Sequence, residues 1–156
     1  MTPIPGDLIF YPVTPRSPFM PRLIAALQIM RGEGAGKTSY SHVSILDVDL
    51  AHELEQYIPK SRRHLIDWSR DIEIWRVKSA DQEAVAIALR WCRSSLGQWY
   101  DMGRAFLGAF KMAHANICST FVARAYQEAN IDLASKAGRF VGPNELIASG
   151  MLERIC

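Results

Sequence analysis

The strongest constraint on this chain is the order in which its residue patterns change along the sequence. Three segments between Ser41 and Val77 alternate apolar and polar residues, which is the period of a strand with one buried face. From Ser79 onward the apolar spacing lengthens to that of helices. The alternation predicts strands over Ser41–Leu46 and Leu50–Tyr57, flanking Asp47-Val48-Asp49, and a third over Ile72–Val77. Ahead of them, Pro5-Gly6-Asp7 reads as a turn feeding a short buried strand, Leu8-Ile9-Phe10-Tyr11, which Pro12 stops. Strands first and helices after describe an α+β domain over 1–156, with an antiparallel sheet packed against helices.

Ser79-Ala80-Asp81-Gln82 has the form of a capping box, in which the Ser hydroxyl and the Gln side chain satisfy free amides at a helix start. Behind it Val85, Leu89, Cys92 and Leu96 lie at helical spacing, so Cys92 reads as a buried, inert thiol. Asn116 is placed to cap a second helix over about 117–129, with Phe121, Val122, Ala125 and Ala129 facing the core. Four prolines from Pro12 to Pro21 give an irregular loop, Leu23–Met30 a short helix, and Val141–Leu146 a loop leading into a short helix.

Charge excludes one function class. Net charge is +2, and the only basic cluster, Lys60, Arg62 and Arg63, reads as a solvated loop, so nucleic acid is not an expected partner. The three cysteines include no CxxC pair, which argues against a structural zinc site or a disulfide scaffold and fits a reducing compartment. No basic segment followed by an apolar stretch opens the chain, and no apolar stretch is long enough to span a bilayer. A cytoplasmic protein is the expectation.

Cys118 is where chemistry is expected. In the first turn of its helix, unpaired amides and the positive end of the helix dipole stabilise a thiolate, which is the reactive form of cysteine. Its base is expected to be His42, at a strand start between Ser41 and Val43 and on the same strand face as Ser44. His114 precedes the cap, and His64 lies in the basic loop. A third residue should orient the imidazole. A two-residue hairpin at Asp47-Val48 puts Glu53 across from His42, and a three-residue loop brings Glu55 there instead; Glu53 is the favoured partner. Gly32-Glu33-Gly34-Ala35-Gly36-Lys37-Thr38 imitates a phosphate-binding loop. It lacks the first glycine, since Arg31 stands there, and it follows a helical stretch where the motif needs a strand.

Read in order, Pro5–Phe10, Ser41–Ile45, Gly97-Gln98-Trp99-Tyr100-Asp101, Cys118–Val122 and Val141–Leu146 resemble the circularly permuted branch of the NlpC/P60 superfamily, close to the YiiX/YaeF-type proteins. The specific part of the resemblance is histidine ahead of cysteine, the reverse of ordinary papain-like enzymes. It implies a papain-like fold with a small barrel-like sheet and a Cys-His-polar triad, carried over to Cys118 and His42. The family's third residue is commonly a Glu followed by a small residue; Leu54 follows Glu53 here, which leaves Glu55 open. Tyr100 is similar to the family's tyrosine ahead of the cysteine helix and, with Tyr40, is expected to touch substrate. The implied activity is that of a cysteine peptidase or amidase acting through a thioester, with a lipid-directed acyl hydrolase or acyltransferase and a binding module without turnover as alternatives. In the lipid alternative Phe106, Leu107, Phe110 and Met112 line an acyl groove. The expected partner is a peptide or acyl-containing substrate, and no metal or organic cofactor is implied.

Overall fold

A computed structural model of the protein describes residues 1–15, 17, 39–99, 117–134 and 141–156. Within them the chain runs β1 (Leu8–Pro12), β2 (Tyr40–Leu46), β3 (His52–Gln56), β4 (Ser61–Leu65), β5 (Glu73–Val77), α1 (Gln82–Ser94), α2 (Cys118–Gln127), α3 (Pro143–Ala148) and β6 (Leu152–Arg154). The six strands form one antiparallel sheet in the order β4-β3-β2-β1-β5-β6. Its edges, β4 and β6, do not pair with each other, so the sheet is open; the barrel-like closure expected from the resemblance is absent among the described residues.

The pleat divides the core in two. Leu8, Phe10, Val43, Ile45 and Leu54 face the helices and pack against Leu89 and Cys92 of α1, Phe121, Val122, Ala125 and Tyr126 of α2, and Leu146 of α3. Ile9, Tyr11, Leu46, Ile66 and Ile74 form a smaller cluster on the other face. Covered on both faces, β1 buries four successive residues, which is why Leu8-Ile9-Phe10-Tyr11 shows no alternation. Burying a side chain of this size contributes about 1.5–3 kcal/mol. β1 and β2 therefore anchor the sheet from its middle.

Two strands escaped the sequence pattern. Lys60–Arg63 is not a solvated loop: Ser61–Leu65 is the edge strand β4, with Ser61 buried and Arg62-Arg63-His64 exposed along it. Charged side chains on a free edge block pairing with other chains, and they also erase the apolar alternation that marks a strand. β6 is only three residues long. The helices begin later than expected. Asp81, not Ser79, caps α1, its carboxylate accepting from the Ala84 amide at 2.8 Å. Leu96 falls beyond α1 and is exposed, while Leu89 and Cys92 are buried. Ile117 caps α2 without a side-chain hydrogen bond; Asn116, like the expected helix over 23–30 and the glycine-rich 32–38 segment, lies outside the described residues.

The Pro5-Gly6-Asp7 turn is fastened from three sides. Asp7 takes two 2.8 Å hydrogen bonds from the Arg76 guanidinium, and Tyr126 donates to the Gly6 carbonyl at 2.6 Å. Gly6 has φ +88°, and a Cβ there would stand 2.7 Å from Val85 Cγ1. Gly6→Ala therefore combines a left-handed backbone with a steric overlap. It should cost about 2–4 kcal/mol, read as a lower urea midpoint with unchanged slope. A midpoint equal to that of the parent would mean that the turn rearranges freely.

Candidate active site

The site opens where the sheet comes apart. β2 and β3 share only two paired positions, Ile45 with Leu54 and Leu46 with Glu53. Leu46 donates its amide to Asp7 at the start of β1, so even-numbered β2 amides face β1 and the Val43 amide faces the β3 side, beyond the end of the ladder. Cys118, the first residue of α2, takes up this free donor: the amides of Val43 and Ser119 both donate to its sulfur. A helix start with no side-chain cap leaves its first-turn amides to whatever stands beside them.

His42 meets Cys118 at this opening. Its Nε2 lies 2.6 Å from Glu55 Oε2, which leaves the other ring nitrogen for a hydrogen bond with the Cys118 side chain. Burial on its own pushes the Cys118 thiol up and the His42 ring down. The two groups reverse this for each other. The imidazolium, its hydrogen bond and the two amides bring the thiol below its ordinary range; the thiolate and Glu55 raise His42 to about 10. The pair titrates as a unit, and its charge-separated form occupies the interval between those limits.

Glu55, not Glu53, is the carboxylate on His42. Neither expected hairpin register occurs, because the β2–β3 turn runs through residues 47–51. Asp47 is fully buried under Arg63 and Arg93, Asp49 accepts from the amides of Ala51 and His52, and Leu50 adopts φ 58°. In this register Glu53 faces Leu46, and its oxygens accept from Tyr11 Oη at 2.7 and 2.8 Å and from Ser44 Oγ. Burial and Glu53 hold the Tyr11 phenol well above its ordinary pKa, so it stays a donor. Burial pushes the Glu55 carboxyl up, but His42 on one oxygen and Arg62, at 2.6 Å on the other, keep it below its usual range.

Tyr40 is not brought to the site. Its ring lies edge-on to Phe10 at 5.4 Å within the helix-side core, and its hydroxyl donates to Glu73 at 2.7 Å. A register shift after Tyr11 turns it to that face. Asn144 accepts from the Tyr40 amide at 3.0 Å, and Ser119 donates to the Val141 carbonyl, so the 141–146 segment ties the start of β2 to α2. Tyr100, His114 and Phe106–Met112 lie outside the described residues. Of the remaining histidines, His52 pairs with Asp49, and His64 is exposed on β4 beside Glu53.

Cys118 and His42 line a cavity of about 400 Å³, with Tyr11, Glu53, Glu55 and Arg62 around them. Cys92 is fully buried in the core, and burial drives its thiol pKa far upward. With the exposed Cys156 replaced by Ser, a small electrophile at pH 7 should alkylate Cys118 at least about tenfold faster than Cys92. His42→Ala in that background should remove most of the difference. Equal labelling of the two thiols, followed by mass spectrometry, would show that no activated thiolate exists.

No family model and no curated protein sequence matches the chain. In fold it is similar to a crystal structure described as the metalloprotein YiiX from Escherichia coli, a protein of a family of unknown function. The TM-score is 0.66 at 14% sequence identity, over 99% of this chain and 97% of that one. Among the described residues, no helix is long and apolar enough to cross a membrane.

Proposed function

We propose that the chain is a cysteine-nucleophile hydrolase of the permuted papain-like type, cleaving an amide bond through a thioester acyl-enzyme. The observation that carries this reading is the Cys118–His42–Glu55 constellation at a helix start. A thiol brought below its ordinary range by an imidazole, which a buried carboxylate orients, is the arrangement nucleophilic acyl transfer needs. The likeness to YiiX supports the fold half of the proposal.

In this mechanism the Cys118 thiolate attacks the carbonyl carbon and a C–S bond forms. The carbonyl electron pair moves to oxygen, where amide donors near the helix start hold it. As the C–N bond breaks, its electron pair goes to nitrogen, which takes the proton from His42. His42 then draws a proton from water, whose oxygen attacks the thioester and returns the thiolate. Glu55 stays anionic throughout and fixes the ring. The lipid-directed alternative rests on Phe106, Leu107, Phe110 and Met112, none of which is among the described residues.

The YiiX description as a metalloprotein raises a metal-dependent alternative. The one group of potential ligands among the described residues is Glu53, Glu55 and His64, whose donor atoms lie within 4.8 Å of one another. Its carboxylates do not fit a cation as they stand. Glu55 already carries Arg62 and His42, and Glu53 is taken by Tyr11 and Ser44. Activity on an activated acyl substrate should therefore survive a chelator, and acid quenching should trap one acyl group on Cys118, located by peptide mass spectrometry. Loss of activity to the chelator, restored by metal, would replace the thiol mechanism with a metal-assisted one.

A further inference from the structure

Glu55 faces a problem that its partners disclose. It is 3% exposed, and in the mechanism above its cationic neighbour His42 periodically loses its charge. Each time the imidazolium gives its proton to a leaving group, a buried carboxylate is left facing a neutral ring. Arg62 removes the difficulty. Its Nε holds Glu55 Oε1 at 2.6 Å, while His42 holds Oε2 at the same distance, so each oxygen has its own partner. Arg62 is itself pinned, with its guanidinium carbon 4.1 Å from the centre of the Tyr57 ring. Tyr57 is in contact with the site too: its ring and the His42 ring meet edge to face at 5.8 Å. Residues from one hairpin, β3 and β4, thus surround the imidazole with a fixed cation, a fixed anion and a spacer ring.

We propose that Arg62 is a positioning residue that serves as the permanent counter-ion of Glu55, so that His42 can release its proton to a leaving group without stranding a buried anion. The proposal rests on the hydrolase reading for its catalytic meaning, but not for its electrostatics. Arg62 stabilises ionised Glu55 when His42 is neutral, and so lowers the affinity of His42 for its proton. Without Arg62 the pair would hold the proton too firmly, and the step most affected would be C–N cleavage, in which the leaving nitrogen must take that proton.

The other groups facing His42 bear on the sign. Tyr11 from β1 is a neutral phenol whose hydroxyl is committed to Glu53, and Arg70, which also lines the cavity, stacks on the Tyr11 ring at 4.8 Å. Glu53 and Glu55 come from β3, His64 and Arg62 from β4, Cys118 from α2, and Asp67 from the segment after β4. Arg62 is the cation among them that touches the carboxylate bonded to His42.

The test reads the His42 ring by NMR in a Cys118→Ala background, where no thiolate is coupled to it. Arg62→Met should raise the His42 pKa by about half a unit to one unit, the size of one partly screened charge at this range. Arg62→Lys should restore most of the shift, and Arg62→Gln should reproduce it if the Met side chain perturbs folding. An unchanged or lowered pKa in both neutral variants overturns the proposal, because Arg62 would then merely aim Glu55 or do nothing. With Cys118 intact, Arg62→Met should slow amide turnover about tenfold while changing an ester with a good leaving group much less. A raised pKa with no turnover in the parent would retain the counter-ion and defeat the hydrolase reading. Turnover in the parent without the pKa rise would do the reverse.

Discussion

Cys118→Ala and His42→Ala should each abolish turnover of an activated acyl substrate, and the double variant should be no slower than either one. The two groups act as a unit: without the sulfur there is no acyl acceptor, and without the ring the thiol returns to its burial-raised state. Rates should fall by a factor of about 10³ or more, judged by what removing one member of such a unit costs. Folding should survive. Cys118→Ala removes one partly enclosed sulfur at a strand opening and should cost about 1–2 kcal/mol, visible as a small shift in urea midpoint. In the parent, the rate should climb with pH as Cys118 ionises below the ordinary thiol range. It should hold level while the thiolate–imidazolium pair persists, then decline toward about pH 10 as His42 loses its proton. Hydrolysis persisting in Cys118→Ala would move the nucleophile elsewhere; no turnover in the parent over amide and ester substrates would leave a binding module without turnover.

The second large effect separates two neighbouring glutamates. Glu55→Gln keeps the shape but removes the charge that holds the imidazolium, and the amide can present its donor to Nε2 as readily as its acceptor. We expect a loss of about 10²-fold or more in rate, with the high-pH decline moved to lower pH because His42 gives up its proton earlier. Glu53→Gln should leave that decline where it is. Its carboxylate bonds Tyr11 and Ser44, so the change should appear chiefly in stability, as an imperfect replacement in a buried hydrogen-bond group. A parallel shift of the pH–rate profile in both variants would mean that Glu53 acts on His42 through Tyr11. A shift in Glu53→Gln alone would reverse the assignment.

The same pair shows what was legible in the residues. Alternation located β2, β3 and β5 within one or two residues, because each has one face in a core and polar residues between. The place of Cys118 at a helix start was legible for a local reason: such a start needs only its own turn to be recognised. The third residue was not, since it depended on hairpin register. That register is set by buried Asp47 with its two arginines and by the φ of Leu50, which are tertiary facts. Arg62 was hidden for the same reason. In sequence Lys60–Arg63 has the composition of a loop, and only the position of β4 next to β3 shows that these charges have partners. Tyr40 failed through a one-residue irregularity at Tyr11/Pro12 that no period predicts.

The two halves of the site have different origins in the chain. His42, Glu55 and Arg62 lie on adjoining strands of a single sheet, with Tyr57 in the connection just past β3. Cys118 arrives on α2, which reaches those strands through side-chain packing and a few hydrogen bonds and shares no ladder with them. A disturbance that loosens the helix layer while sparing the sheet separates sulfur from ring and leaves the ring with its charges in order. Heat or mild urea should accordingly silence the protein before far-ultraviolet signals of the strands change, and cooling should restore it without a slow phase of strand assembly. Inactivation and unfolding would then be separate events, with the first marking the undocking of one helix.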